Sequence, residues 1–565
     1  MQSITKRWQV NPKISNEADS ALHGYPPLLR QILYNRGYST MEAARDYLEA
    51  RLPNGSDPFS MLGVPAAVDR IEFAIRNQQP IAVYGDYDVD GVTATALLVQ
   101  ALRALGAEVK GYIPNRFDEG YGLNNDALSN LYDVGIRLVI TVDCGVRSLP
   151  EVAHARSIGL DMIITDHHQP SAEIPEAVVV VNPKQPGDAY PDKDLAGVGL
   201  AYKLACALLI NRQSSSLQPE NLLDLVALGT VADLAPLVNE NRTLVKAGLE
   251  FLRRPIRQGL MALIGISGLT PARITATEIG FTLGPRLNAA GRLDSALAAY
   301  QLLLTNDVAE AAGLAQRLEI QNRERQEVMR DIQARAEEMA LTNDPNALLL
   351  FAAHPDFNRG VVGLAASRLT EKYYRPSVVA QIGEEYTRGS CRSIPEFHIT
   401  AALDQCTSLL EHHGGHAAAA GFTVRNDHLL ELIKNLQAIA VEQLAGKKLR
   451  PTLMADAEIQ LSELQPELIP CLEWMQPTGY GNPQPLFISR NLRVTSARSV
   501  GRDSAHLKLT VKDGNVIFDA IAFRLGQWLA QMPPAMDMIY TFETNEFNGR
   551  KTLQLNVKDI KATGS

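Results

Sequence analysis

Three short apolar runs in the first half of the chain each stop abruptly at acidic or histidine residues. Ile81-Ala82-Val83-Tyr84 precedes Gly85-Asp86-Tyr87-Asp88-Val89-Asp90-Gly91, Leu138-Val139-Ile140-Thr141-Val142 precedes Asp143, and Met162-Ile163-Ile164-Thr165 precedes Asp166-His167-His168. Short, β-branched, continuous apolar runs are what strands covered on both faces require. The stretches between them can hold crossover helices, so the pattern predicts βαβ units around a parallel sheet. A fourth run, Leu225-Val226-Ala227-Leu228, stands ahead of Asp233 and suits a strand or a helix equally.

The remaining chain supports an α/β protein of several domains. Its 565 residues correspond to three or four domains at roughly 100–200 residues each. The segment 1–70 reads as helical, with Pro26-Pro27 opening one helix, and 71–305 carries the parallel sheet. Residues 306–341 form a long charged helix with Leu314, Leu318, Val328, Ile332 and Met339 at helical spacing. It either bridges two domains or packs along one. A second α/β block follows at 342–448. From 449 to 565 the residues alternate at period two, with hairpin signals at Asp513-Gly514 and Asn548-Gly549, which suits a β-barrel of the OB type.

Composition excludes some classes. No run of 18 apolar residues exists, so no membrane span is expected, and Met1 to Val10 lacks the apolar core of a signal peptide. The five cysteines form no C-x-x-C pair, which fits a reducing cytoplasm better than a disulfide framework or zinc ribbon. A net charge of −9 opposes a general nucleic-acid coat but leaves room for one basic channel.

Polar residues at the carboxyl ends of parallel strands converge on one crevice. Asp86, Asp88, Asp90, Asp143 and Asp233 with His167 and His168 would repel one another there unless divalent cations intervened. Mixed carboxylate and imidazole ligation suits Mn²⁺, or Mg²⁺ where carboxylates dominate. Two such ions about 3.5–4 Å apart would clamp a phosphodiester and activate a water. Taken singly, each Asp also reads as a helix N-cap, and Asp86 to Gly91 resembles part of an EF-hand loop. That loop needs a Glu six residues after its Gly, where this chain has Leu97.

The second block contains Arg388-Gly389-Ser390-Cys391-Arg392-Ser393 and later His413-Gly414-Gly415-His416 before four alanines. Glycines permit close backbone approach, and an arginine fork with a hydroxyl suits phosphate. The plain reading of Gly414-Gly415 is a tight turn before an Ala-rich helix.

Asp166-His167-His168 with the upstream Asp88-x-Asp90-Gly91 resembles the DHH phosphoesterase superfamily, and the second block resembles its DHHA1 domain. Gly284-Pro285-Arg286-Leu287-Asn288-Ala289-Ala290-Gly291-Arg292 and Pro477 to Pro485 are similar to segments of the RecJ-like exonucleases within it, and the likeness covers nearly the whole chain. The resemblance implies two Mn²⁺ or Mg²⁺ ions held by Asp86, Asp88, Asp90, Asp143, His167 and Asp233. It implies His168 on a phosphate oxygen, Asp143 close to both ions, and Asp166 orienting His167. Tyr84 stands where many superfamily members have His, and Asp86 supplies a RecJ-like substitute.

The resemblance further implies that Ser390 and Arg392 read a 5′-phosphate with Arg116 as helper. Gly415 and His416 belong to the same substrate grip, and Arg286, Asn288 and Arg292 line the channel. Trp474, Tyr480 and Phe487 are candidates for base stacking. The activity implied is a 5′-to-3′ exonuclease on single-stranded DNA releasing 5′-mononucleotides in recombination and repair. Single-stranded-DNA-binding protein and a RecQ-type helicase are its implied partners. The competing readings are an oligoribonuclease or dinucleotide phosphodiesterase, a non-catalytic DNA-binding scaffold, and a pyrophosphatase.

Overall fold

In the computed structural model, which describes residues 5–52, 56–116, 118–120, 122–210, 217–547 and 549–564, the chain opens with strand β1 (Arg7–Val10). Helices Asn16–Ala21, Pro27–Asn35 and Met41–Glu49 follow. The Ser15 and Thr40 side chains cap two of them by accepting from the Ala18 and Ala43 amides, and Pro27 opens the third.

The first α/β layer is a five-stranded parallel sheet of β2 (Ile81–Tyr84), β3 (Val109–Tyr112), β4 (Leu138–Val142), β5 (Asp161–Thr165) and β6 (Val179–Val181). Its order is β3-β2-β4-β5-β6. β2 and β4 are buried along their whole length, which is why their sequences run apolar without alternation. Tyr84 pairs with Thr141 and Val142 with Thr165, so the three strands end level. The chain leaves β2 toward β3 on one side and returns to β4 on the other. That reversal opens a crevice beyond the strand ends.

Leu225–Leu228 is helical, within Leu223–Ala232. The segment packs between helices Val89–Ala104 and Asn239–Arg253 and is apolar all round because it is covered all round. The charged helix spans Val308–Asn343, 36 residues or about 54 Å. It bridges: Ala311, Ala315 and Leu318 belong to the core of the parallel-sheet domain, and Ile332, Ala336 and Ala340 to a core with the second domain.

The second domain is a mixed sheet of β7 (Leu350–His354), β8 (Ser377–Ile382), β9 (Tyr386–Arg392), β10 (Leu410–His416) and β11 (Ala419–Arg425), ordered β10-β11-β9-β8-β7. The Ala-rich stretch is not a helix. Gly414-Gly415 lies in β10, and Ala419 and Ala420 begin β11, which pairs with β10 and β9 on its two edges. Two full hydrogen-bond ladders outweigh the intrinsic helical preference of alanine.

The last domain is a closed barrel. β12 (Thr452–Ala455) pairs with β1, and β13 (Ala457–Glu458) pairs with the long strand that follows. β14 (Phe487–Val500), β15 (His506–Asp513), β16 (Val516–Ala522), β17 (Ala535–Phe547) and β18 (Arg550–Ala562) run β14-β15-β16-β18-β17, and β17 returns to β14. Asp513-Gly514 turns β15 into β16. Of the second hairpin signal, Asn548 lies outside the described residues.

The N-terminal helices have no core of their own. Leu29, Ile32, Leu33 and Tyr47 share one cluster with Leu461, Phe487, Met536 and Tyr540 of the barrel domain. Arg242 locks this unit to the parallel-sheet domain. Its guanidinium is buried 4.3 Å from the Tyr47 ring centre and donates to the Trp474 and Gln476 carbonyls at 3.0 Å each. No helix among the described residues is long and apolar enough to cross a membrane.

Candidate active site

Each acidic residue stands near a strand or helix end. Asp88 does cap helix Val89–Ala104, accepting from the Gly91 amide at 3.1 Å. Asp90, one residue into that helix, accepts from the Gly197 and Val198 amides at 2.7 and 2.8 Å. Those amides open helix Gly197–Leu209, whose unsatisfied N–H groups and positive end suit a carboxylate. Asp143 follows β4 with φ 61°, a left-handed backbone that non-glycine residues hold only under tertiary constraint. A Cβ on Gly197 would lie 2.6 Å from the Asp143 Cβ, so only glycine fits beside it. Asp233 sits at the C-terminal end of helix Leu223–Ala232.

Asp166 orients His168, not His167. Its Oδ1 meets the His168 amide at 3.0 Å and His168 Nδ1 at 2.8 Å, while Oδ2 accepts from the Val146 amide at 2.9 Å. His167 is fixed instead through its carbonyl, which accepts from Lys184 Nζ at 2.8 Å.

His167 Nε2 lies 3.1 Å from Asp143 Oδ1, 3.9 Å from Asp233 Oδ2 and 4.0 Å from Asp90 Oδ2. Three groups form, with ligand atoms within 4.8 Å of one another: Asp143, His167 and His168; Asp90, His167 and Asp233; and Asp86, Asp88 and Asp143. Asp143 and His167 each belong to two groups, so adjacent ion positions would share them. Asp86 Oδ1, Asp143 Oδ1 and His167 Nε2 are buried with no hydrogen-bond partner. Orphaned acceptors at the meeting point of a carboxylate cage fit divalent cations and little else.

Burial and neighbouring carboxylates push Asp90 up to about 7 and Asp233 up to about 9, and raise Asp86 and Asp143 well above the carboxylate range. Burial holds His167 down to about 3, the neutral form a metal ligand needs. For His168 burial acts downward, but the Asp166 hydrogen bond and the surrounding carboxylates outweigh it and raise its pKa. Tyr84 takes no part: it stacks on Tyr112 at 4.9 Å and donates to the Gly122 carbonyl at 3.2 Å.

Arginines begin where the acids end. The Arg116 guanidinium lies 4.9 Å from the centre of the Tyr87 ring, between Asp86 and Asp88 in sequence. Arg292 is held down to about 10 by burial and by the positive charges of Arg116 and Arg325. Arg325 is lowered by burial, then by Arg368 and Arg286, and Arg359 by burial, then by Arg388. A continuous cationic surface thus runs from the acid cage to the second domain. Guanidinium groups gathered within reach of one another's charge suit a polyanion.

In the second domain Arg392 Nη1 donates to Ser390 Oγ at 3.1 Å. A Cβ on Gly363, in the first turn of helix Val362–Tyr373, would lie 2.9 Å from that hydroxyl. Ser390, Arg392 and a helix start therefore converge.

Other predicted residues are used differently. Arg286 is paired with Glu319 at 2.7 Å on the bridging helix. Asn288 Oδ1 accepts from the Val89 amide at 3.2 Å, bracing the helix that carries Asp90. His416 and Arg392 flank Ala419 in one cross-strand row, about 10 Å apart, and Gly415 is exposed beside it. Trp474 and Tyr480 are exposed, but Phe487 is barrel core: it faces inward from β14 and cannot stack on a strand outside.

Sequence reasoning missed Arg325, Arg359, Lys184, Gly197 and Gly363. Arg325 looks like any cation on a solvated helix face, and the others sit in segments without a motif.

The domains match known families. Residues 80–230 match the N-terminal domain of the DHH family, 345–444 the DHHA1 domain, and 455–559 the RecJ OB domain. The single-stranded-DNA-specific exonuclease RecJ of Bacillus subtilis is 39% identical over 566 residues, covering 99% of this chain and 71% of that protein. The Salmonella typhimurium enzyme of the same name is 37% identical, covering 98% and 99%. The crystal structure of Thermus thermophilus RecJ in complex with Mn²⁺ superposes with a TM-score of 0.84 at 29% identity, over 99% of this chain and 80% of that one.

Proposed function

The chain belongs to the RecJ family of single-stranded-DNA-specific exonucleases, and on that premise we propose that it degrades single-stranded DNA from the 5′ end to 5′-mononucleotides, in recombination and repair. The observation that carries this reading is an orphaned carboxylate and imidazole cage with arginines gathered beside it, together with the Ser390 and Arg392 pair of the second domain.

In this reading Asp86, Asp88, Asp90, Asp143, His167 and Asp233 hold two divalent cations, Mn²⁺ or Mg²⁺. When bound, these supply an activated water and offset the charge that gathers on the phosphoryl oxygens. Asp166 accepts from His168 Nδ1 and raises its pKa, which leaves Nε2 as the nitrogen that would donate to a phosphate oxygen as charge builds there. Ser390, Arg392 and Arg116 take the terminal 5′-phosphate, which sets the scissile bond at the cage. Arg292, Arg325 and Arg359 add positive charge to the approach of the strand, and Gly415 and His416 edge the same surface. Asn288 acts through the helix it braces.

We place the protein in the cytoplasm, in keeping with five unpaired cysteines. Its proposed partners are single-stranded-DNA-binding protein and a RecQ-type helicase; pull-down of each by the purified chain tests that pairing.

The deciding experiment uses an internally labelled, 5′-phosphorylated single strand, its duplex, and versions blocked at either end. Mononucleotide release from the single strand alone, stopped by EDTA and by the 5′ block, is expected. Hydrolysis of a dinucleotide with the long strand left intact would replace this reading with a small-substrate phosphodiesterase.

A further inference from the structure

Three consecutive polar residues, Glu240, Asn241 and Arg242, open helix Asn239–Arg253, and each is 1% exposed or less. Arg242 reaches the barrel domain, and Glu240 accepts from Lys203 Nζ of helix Gly197–Leu209 at 2.7 Å. Asn241 between them reaches elsewhere. Its Nδ2 donates to the Asp194 carbonyl at 2.6 Å and to the Pro236 carbonyl at 3.2 Å, and its Oδ1 accepts from the Ala196 amide at 3.4 Å.

All three partners stand next to parts of the cage. Pro236 is three residues beyond Asp233. Ala196 directly precedes Gly197, whose amide donates to Asp90 at 2.7 Å. The Asp194 carboxylate lies 3.8 Å from Lys184 Nζ, which holds the His167 carbonyl at 2.8 Å. Asp90, His167 and Asp233 are the members of one ligand group. None of the three Asn241 hydrogen bonds leads directly to the segment after β2 that carries Asp86 and Asp88.

Neither 192–196 nor 234–238 belongs to a helix or strand. Leu234, beside Asp233, holds a left-handed φ of 63°, which needs tertiary support. Backbone without a ladder takes its place from other hydrogen bonds, and a buried amide bonded at both ends is a stiff cross-tie.

We infer that Asn241 is a positioning residue for one ion position of the cage, that of Asp90, His167 and Asp233, and not for that of Asp86, Asp88 and Asp143. It acts by fixing the segment after Asp233 against the helix start that clamps Asp90. This rests on the two-ion reading above. Side chains that orient ligands in this way are each worth about ten- to a hundredfold in metal affinity.

The two positions can be read one at a time by titrating Mn²⁺ without DNA and counting the free ion by its paramagnetic resonance signal. Among the three ligand groups Asp88 and Asp233 each belong to one alone. Asp88→Asn, which keeps a capping side chain, therefore leaves the Asp233 position, and Asp233→Asn leaves the Asp88 position. Adding Asn241→Ala should weaken Mn²⁺ about ten- to a hundredfold in the first protein and hardly at all in the second. In the otherwise wild-type chain it should weaken one of two ions. Asn241→Ser keeps a hydroxyl in that space and should fall between; it gives the reading if Asn241→Ala does not fold. Asn426→Ala is the matched control, removing an amide of the second domain that donates to the Gly383 and Glu384 carbonyls at 2.9 and 3.0 Å. It should lower stability and leave Mn²⁺ binding unchanged. In cleavage, Asn241→Ala should raise the Mn²⁺ concentration for half-maximal rate and leave KM for the strand unchanged at saturating ion. Equal weakening at both positions, no weakening at either, or the same loss in Asn426→Ala would overturn the role of Asn241. A wild-type protein that binds Mn²⁺ and leaves the strand intact would instead overturn the exonuclease reading, and the selective loss of one ion would still stand.

Discussion

The acid cage and the arginine surface are both assemblies of like charges kept together against their own repulsion, yet they are built in opposite ways. The cage uses short side chains at strand and helix ends of one domain, some of them clamped by amides: Asp90 by Gly197 and Val198, Asp166 by Val146 and His168. The arginine surface uses long side chains from a loop, a helix, the bridging helix and the second domain: Arg116, Arg292, Arg325 and Arg392. A metal demands ligand atoms placed to tenths of an ångström, which short anchored chains provide. A moving strand demands charge without fixed geometry, which arginine stems provide. Losses in the cage should therefore be all-or-none, and losses on the arginine surface graded.

The largest effect expected is at Asp143. Asp143→Ala should abolish cleavage, because its carboxylate belongs to two of the three ligand groups. It should also shrink the rise in the first unfolding transition that Mn²⁺ produces over EDTA. In the wild-type protein the ion binds the native state alone and stabilises it by about 3 kcal/mol at a hundred times its Kd. Residual cleavage with an unchanged metal-induced shift would break the cage side of the comparison.

A smaller effect is expected at the grip. Arg392→Ala should raise KM for 5′-phosphorylated ends by about ten- to a hundredfold, the range for a hydrogen bond to a charged group. It should change 5′-hydroxyl ends little, with Arg392→Lys in between because it keeps the charge and loses the fork. Equal loss on both end types would mean that Arg392 serves the chemistry and not the end. The smallest effect should follow from Arg286→Ala. Glu319 retains Arg323 at 2.6 Å, so the change should cost about 1 kcal/mol of stability and less than threefold in KM. A KM loss as large as that of Arg392→Ala would return Arg286 to the channel.

The cage was legible early because its ligands follow motifs on consecutive strands, and strand ends of a parallel sheet are neighbours by construction. Two details escaped. The orienting role of Asp166 depends on the backbone after β5, which presents His168 to it. Tyr84 needed the packing of Tyr112 to show that its ring is engaged outside the carboxylate cage. The arginine surface was half legible: Arg116, Arg292 and Arg392 lie in motifs, whereas Arg325 and Arg359 become neighbours of the others only when two domains close on one helix.

The amino-acid sequence by itself determined the parallel sheet, the domain order and the carboxylate and imidazole set, since these follow from local periodicity and from residue types at strand ends. Only the tertiary structure decided that Leu225–Leu228 is helix, that the alanines after His416 form a hairpin turn and the start of a strand, and that the N-terminal helices and the barrel share one core. In each case contacts between residues far apart in sequence outweigh local preference, and such contacts carry no periodic signal.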